Sequence, residues 1–285
     1  MTSEIESVAV VGGGFMGAGI AEVAAVSGIP VIVRDVDDAS LARVGERIDA
    51  SLARAVRGGK LQDDDARAAR ERIELTRRME AIRQADLVVE AVPEDERLKL
   101  KVMSAIDDVV RDDTIVASNT SSIPIAELAQ AIRMPSRVLG LHFFSPVPVM
   151  MLVEVVVALD TSEETIARSR RFIERLGKRP IETKDRSGFI VNMLLVPYLM
   201  AAVRMYEEGF ASREDIDNGM KLGCGHPMGP LTLCDFIGLD VLYAVCDSLY
   251  EEFKRDEYAP PPLMKRMVAS GRLGRKSGRG FYDYG

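Results

Sequence analysis

The chain has 285 residues, a length that suits two domains better than one core. Hydrophobic residues make up 47% and charged residues 28%, and 37 Lys plus Arg against 44 Asp plus Glu leave a formal net charge of −7. This globular, acidic composition excludes a disordered, collagen-like or disulfide-dense chain, and it lacks the basic surplus of a generic nucleic-acid binder.

Glu4 and Glu6 precede the first apolar run without a basic stretch or cleavage site, so no secretory signal is expected. Short apolar runs at 8–11, 31–33, 73–76, 87–89, 115–117, 138–141 and 152–157 predict strands. Several are continuous rather than alternating, the pattern of strands buried on both faces. Amphipathic stretches at 15–27, 97–110 and 163–176 predict helices, with Gly177 closing the last. The alternation predicts an α/β domain over residues 1–184, built on a doubly wound, mainly parallel sheet. Within it, 41–57 and 63–73 predict a helical hairpin joined at Gly58 and Gly59. From residue 185 to 285 the strand signal fades and an all-helical domain is expected. Its helices fall at 189–207, 239–253 and 262–268, with another opened by the capping-box pattern from Ser212 to Asp215. The longest apolar stretch, 189–203, has 15 residues and contains Asn192 and Pro197. A spanning helix needs about 20, so a soluble helix is expected and no membrane partner.

The first strand runs into Gly12-Gly13-Gly14-Phe15-Met16-Gly17 and then a helix, and Asp35 lies 18 residues past Gly17. In that context the glycine pattern predicts a dinucleotide loop. Gly12 allows a tight turn, Gly14 lets a pyrophosphate approach the backbone, and Gly17 lets the helix pack on the strand. The helix N-terminus supplies N–H groups and a positive dipole end. Asp35 suits the adenosine ribose and would repel a 2′-phosphate, which favours NAD over NADP. Arg34 could welcome that phosphate, but alternation along the strand turns it to the other face.

Ligands of open parallel sheets bind beyond the carboxyl ends of the strands. There the sequence places Glu90 to Glu94, Ser118 to Ser122, and His142 to Ser145. His142 ends an apolar strand, and imidazole as a group is suited to moving a proton near neutral pH, so it is the candidate base. Glu154 sits inside the apolar run 152–156, where a carboxylate needs a partner, and His142 is the natural one. Ser122 is assigned as a helix N-cap, which leaves Ser121 to bond substrate. Asn192 is the lone amide of its apolar helix. His226, in a turn, reads as structural. Cys224, Cys234 and Cys246 carry no metal spacing and read as reduced thiols of a cytoplasmic protein; no metal is expected.

Seven segments, in order along nearly the whole chain, resemble the 3-hydroxyacyl-CoA dehydrogenase family. They are VGGGFMGAGIA (11–21), VVEAVPED (88–95), ASNTSSIPI (117–125), RVLGLHFFSPVPVM (137–150), DRSGFIVNMLLVPYL (185–199), HPMGPL (226–231) and KSGRGFYDY (276–284). The resemblance implies NAD-dependent oxidation of a short-chain (S)-3-hydroxyacyl-CoA, such as 3-hydroxybutyryl-CoA. His142 would be the catalytic base, Glu154 its partner, Ser121 the contact to the 3-oxygen, and Asn192 the contact to the thioester end. Glu94, Lys99, Ser145 and Lys276 would lie at the cofactor. Ser51 would touch coenzyme A, on a hairpin carrying Arg43, Arg47, Arg54 and Arg57. The resemblance also implies a homodimer formed through the helical domain. Two positions depart from the family pattern: Ser145 stands where it has Asn, and Gly58 where it often has Lys. A sugar-acid dehydrogenase and a non-catalytic dinucleotide-binding protein are the alternative readings.

Overall fold

The computed structural model describes residues 4–285. The chain divides into a unit ending at Asp185 and a second unit, Arg186–Gly285. The first holds one eight-stranded sheet in the order β3-β2-β1-β4-β5-β6-β7-β8. Its strands are β1 (Val8–Val11), β2 (Val31–Arg34), β3 (Ile73–Thr76), β4 (Leu87–Glu90), β5 (Ile115–Ser118), β6 (Val138–Phe143), β7 (Leu152–Val157) and β8 (Arg179–Lys184). The first six run parallel, β7 pairs antiparallel with β6, and β8 runs parallel to β7. Every residue of β1, β4, β5 and β6 is buried, as their continuous apolar runs require.

The helices of this unit are α1 (Phe15–Val26), α2 (Asp38–Arg57), α3 (Asp63–Glu71), α4 (Glu96–Asp107), α5 (Ile125–Ala129) and α6 (Glu163–Arg175). Helices α2 and α3 form the expected hairpin, and α2 buries Val44, Ile48 and Leu52 on one face. It starts three residues earlier than the apolar pattern suggests, because Asp37 caps it by accepting the Ser40 N–H at 2.6 Å. Helix α3 stops at Glu71; Ile73, expected at its end, opens β3 and pairs with Val31.

One strand was not anticipated and one expectation fails, both for non-local reasons. Strand β8 had no apolar signal, since it lies at the sheet edge, carries Pro180 and is largely solvated. Ser122 does not cap α5, whose N-cap position is Pro124. The Ile125 and Ala126 N–H groups instead donate to the two carboxylate oxygens of Asp185, at 2.8 and 2.7 Å.

The second unit contains α7 (Val191–Glu207), α8 (Arg213–Cys224), α9 (Pro230–Ile237), α10 (Leu239–Phe253) and α11 (Pro262–Ala269). Helix α7 begins two residues later than expected, past Phe189 at φ 48°. Ser212 caps α8 through the Asp215 N–H, as its sequence pattern predicts, and Gly225 ends it in the left-handed conformation. The core joins Leu199, Val203, Leu231, Cys234, Leu242, Cys246 and Leu249. Among the described residues no helix is long and apolar enough to cross a membrane.

Candidate active site

Parallel strands end together, so the loops after β1, β2, β4, β5 and β6 share one edge of the sheet. Gly12 sits at φ 101°, and a Cβ there would lie 2.7 Å from the Ala91 backbone after β4. A Cβ on Gly17 would lie 1.9 Å from the Gly12 carbonyl oxygen, so only glycine lets α1 close onto β1. Gly14 is different: it faces open space, with nothing within 4 Å. It is also the N-cap of α1, with no side-chain cap and no acid in the first turn. An uncapped helix end facing open space, beside an exposed Phe15, fits the pyrophosphate of a dinucleotide. Met16 packs against the core behind it. The Asp35 carboxylate braces this loop, accepting the Gly13 N–H at 2.8 Å and the Val36 N–H at 2.7 Å. Arg34 turns aside to the Arg77 carbonyl, at 3.3 Å.

The loops after β4 and β5 are tied by carboxylates. Glu94 Oε1 accepts from the Thr120 hydroxyl (2.6 Å), the Ser121 N–H (2.9 Å) and the Ser122 hydroxyl (3.2 Å), with the Ser121 hydroxyl at 3.4 Å. Burial works to raise the Glu94 carboxyl, but the Lys99 charge and the bonds from Thr120 and Ser121 outweigh it and hold it low. Lys99, expected at the cofactor, is 1% exposed. Its ammonium lies among Glu90 (2.8 and 3.0 Å), the Val92 carbonyl (3.2 Å) and Glu94 Oε2 (3.3 Å). Of these partners, Glu94 is the one exposed at the edge.

Strand β7 returns antiparallel, and the register sets Glu154 directly opposite His142. The His142 Nδ1 to Glu154 Oε2 distance is 2.6 Å, with Glu154 fully buried and His142 nearly so. A charge-assisted bond of this length fixes the ring orientation and commits Nδ1. The Phe144 ring lies 4.5 Å from the imidazole between centroids, and Asn119 Oδ1 accepts the Phe143 N–H at 3.0 Å, fixing the strand end. Ser145 is exposed just beyond, before the cis bond to Pro146.

On the hairpin, Ser51 donates to Glu22 of α1 at 2.9 Å, and burial raises the Glu22 carboxyl despite that bond and the Arg54 charge. In the second unit Asn192 is half-buried in the first turn of α7, and Lys276 pairs with Asp240 at 2.5 Å. His226 meets the Tyr198 hydroxyl through Nδ1 at 3.2 Å. Cys234 and Cys246 are buried and Cys224 exposed, none in a disulfide. Among the described residues no cluster of His, Cys, Asp and Glu could hold a metal ion. The first unit thus gathers the glycine loop, Asp35, Glu94, Ser121, His142 and Glu154. Glu90 and Asn119 lie in segments that the sequence places at this edge, but neither they nor Asp185 carried an assigned role, although an acid ending the apolar run of β4 carried the same signal as Glu154.

Residues 7–186 match the family model for the 3-hydroxyacyl-CoA dehydrogenase NAD binding domain, and residues 188–284 match that for the C-terminal domain. The chain is 49% identical to the 3-hydroxybutyryl-CoA dehydrogenase of Mycobacterium tuberculosis over 286 residues, covering 100% of both. It is 43% identical to the mitochondrial hydroxyacyl-coenzyme A dehydrogenase of Homo sapiens, over 98% of this chain and 91% of the other. The solved structure of the (S)-3-hydroxybutyryl-CoA dehydrogenase from Ralstonia eutropha superposes with a TM-score of 0.94 at 45% identity, covering 99% of this chain and 100% of that one.

Proposed function

The chain belongs to the 3-hydroxyacyl-CoA dehydrogenase family, and from that premise we propose that it interconverts (S)-3-hydroxyacyl-CoA and 3-ketoacyl-CoA with NAD, 3-hydroxybutyryl-CoA being the favoured substrate. The observation that carries the chemistry is the buried pair of His142 and Glu154 at the edge that fits a dinucleotide.

With Nδ1 committed to Glu154, proton exchange with substrate falls to Nε2 of His142. It takes the hydroxyl proton as the carbon–oxygen double bond forms and the hydride leaves carbon 3. NAD, held by the N–H groups at the start of α1, would supply the acceptor for that hydride and its electron pair. The buried Glu154 carboxylate stabilises the imidazolium that results. In the reverse direction the imidazolium returns its proton to the forming alkoxide. Ser121 donates its hydroxyl to the 3-oxygen, and Asn192 orients the thioester end. The N–H groups at the start of α1 hold the pyrophosphate, with Gly12, Gly14, Phe15, Met16 and Gly17 shaping the loop. Asp35 holds the adenosine ribose and disfavours a 2′-phosphate. Glu94, with Ser145 and Lys276, serves the nicotinamide half. Ser51 and the hairpin arginines face coenzyme A.

The second unit is the proposed homodimer surface. Exposed Leu194, Ile190 and Phe236 line an apolar cavity of about 560 Å³ with Tyr198 and His226. A monomeric mass by light scattering would remove the dimer.

The deciding experiment follows NADH consumption with acetoacetyl-CoA, with free acetoacetate, and with a His142→Ala variant. Turnover of the thioester alone, falling about 10²–10⁴-fold in the variant, is expected. Equal turnover by the variant, or of free acetoacetate, would refute the reading.

A further inference from the structure

One buried carboxylate at the cofactor edge has no part in the reaction above. Glu90, the last residue of β4, is 0% exposed and lies in register between Val11 of β1 and Ser118 of β5. An ionised carboxylate there requires full pairing. It receives the Ser118 hydroxyl at 2.6 Å, the Val92 N–H at 2.7 Å, and the Lys99 ammonium at 2.8 and 3.0 Å. Lys99 is the only cation bonded to either Glu90 or Glu94 among the described residues. Two carboxylates therefore share one ammonium, and the share is unequal, since Glu94 Oε2 stands off at 3.3 Å. The other oxygen of Glu94 gathers the loop at 120–122 that presents Ser121.

We propose that Glu90 is a positioning residue for the cofactor edge: it draws Lys99 inward, and so sets the exposed Glu94 carboxylate and the Ser121 loop for the nicotinamide half of NAD. This rests on the dehydrogenase reading. Without the Glu90 charge, Lys99 pairs wholly with Glu94, which then leans inward and loses its hold on the loop. Helix α4 makes the arrangement stiff, because Lys99, Val102, Met103 and Ile106 share its buried face.

The test uses Glu90→Gln, which keeps the shape and an acceptor for Ser118 but removes the charge. NADH affinity, read from the fluorescence of the bound dinucleotide, is expected to fall about tenfold. The KM for acetoacetyl-CoA should stay within about twofold, and the melting temperature reports folding separately. A Glu94→Gln background distinguishes positioning from a structural role: if Glu90 acts through Glu94, Glu90→Gln adds almost nothing there. Unchanged NADH affinity in Glu90→Gln would overturn the proposal, as would an equal loss in both backgrounds. Should Glu90→Gln not fold, Ser118→Ala loosens the same carboxylate with a smaller change and is read the same way. If the unaltered protein itself neither binds NADH nor reduces acetoacetyl-CoA, the dehydrogenase reading has failed and this inference falls with it. If it does both and the variant matches it, only the role of Glu90 has failed.

Discussion

Glu154→Gln isolates the charge behind the candidate base. Glu154 is fully buried opposite His142, and glutamine has nearly its volume, so the strand pairing should survive. What changes is the bond at Nδ1. A hydrogen bond to a charged group contributes about 1.5–3 kcal/mol and a neutral one about 0.5–1.5. The carboxylate's advantage grows as the imidazolium forms, and a growth of roughly 1–2 kcal/mol corresponds to a fall in kcat of about 5–30-fold. His142→Ala removes the proton acceptor itself and should cost more, about 10²–10⁴-fold. The assay is initial-rate NADH consumption with acetoacetyl-CoA, with NADH affinity measured alongside and expected to hold. In a His142→Ala background Glu154→Gln should have almost no further effect, because the residue acts through the ring. A kcat within about twofold of the unaltered protein, or a fully additive double variant, would refute the orienting role.

Three further outcomes are expected. Asp185→Ala strips the cap from α5, leaving the Ile125 and Ala126 N–H groups unpaired, and should cost about 1–2 kcal/mol in denaturant unfolding; an unchanged midpoint would contradict it. Asp35→Ala removes the brace on Gly13 and the carboxylate proposed to hold the ribose, so both cofactors should weaken. NAD should weaken more, shifting the NAD to NADP affinity ratio by about tenfold, and a constant ratio would sink the selectivity argument. Glu22 has its carboxyl raised by burial above the ordinary 4.5, so its ionised form is disfavoured in the fold. Glu22→Gln should therefore stabilise the protein at neutral pH, with the gain fading as pH falls through the folded pKa toward 4.5; a gain that does not vary with pH would refute this.

Locally encoded features were legible in the sequence. The buried strands announce themselves as apolar runs, the turn after β1 as a glycine pattern, and the start of α8 as Ser212 followed by Asp215. The pairing of His142 with Glu154 was legible for another reason: an acid inside an apolar strand needs a partner, and few side chains can serve. Illegible features depend on segments far apart in the chain. The cap on α5 comes from Asp185, sixty residues downstream of Ile125. Strand β8 exists because β7 offers it an edge, not because its own residues are apolar.

Glu90 and Lys99 form a third group, readable but read incompletely. The resemblance places Lys99 at the cofactor, and its spacing with Val102, Met103 and Ile106 puts it on the apolar face of α4. A cation on that face demands a buried anion, and Glu90 ends the adjoining apolar strand as Glu154 interrupts its own. The same requirement therefore identifies both carboxylates. One faces a histidine, which in the proposed reaction exchanges protons with substrate; the other faces a lysine, which in the proposed arrangement orients what stands in front of it.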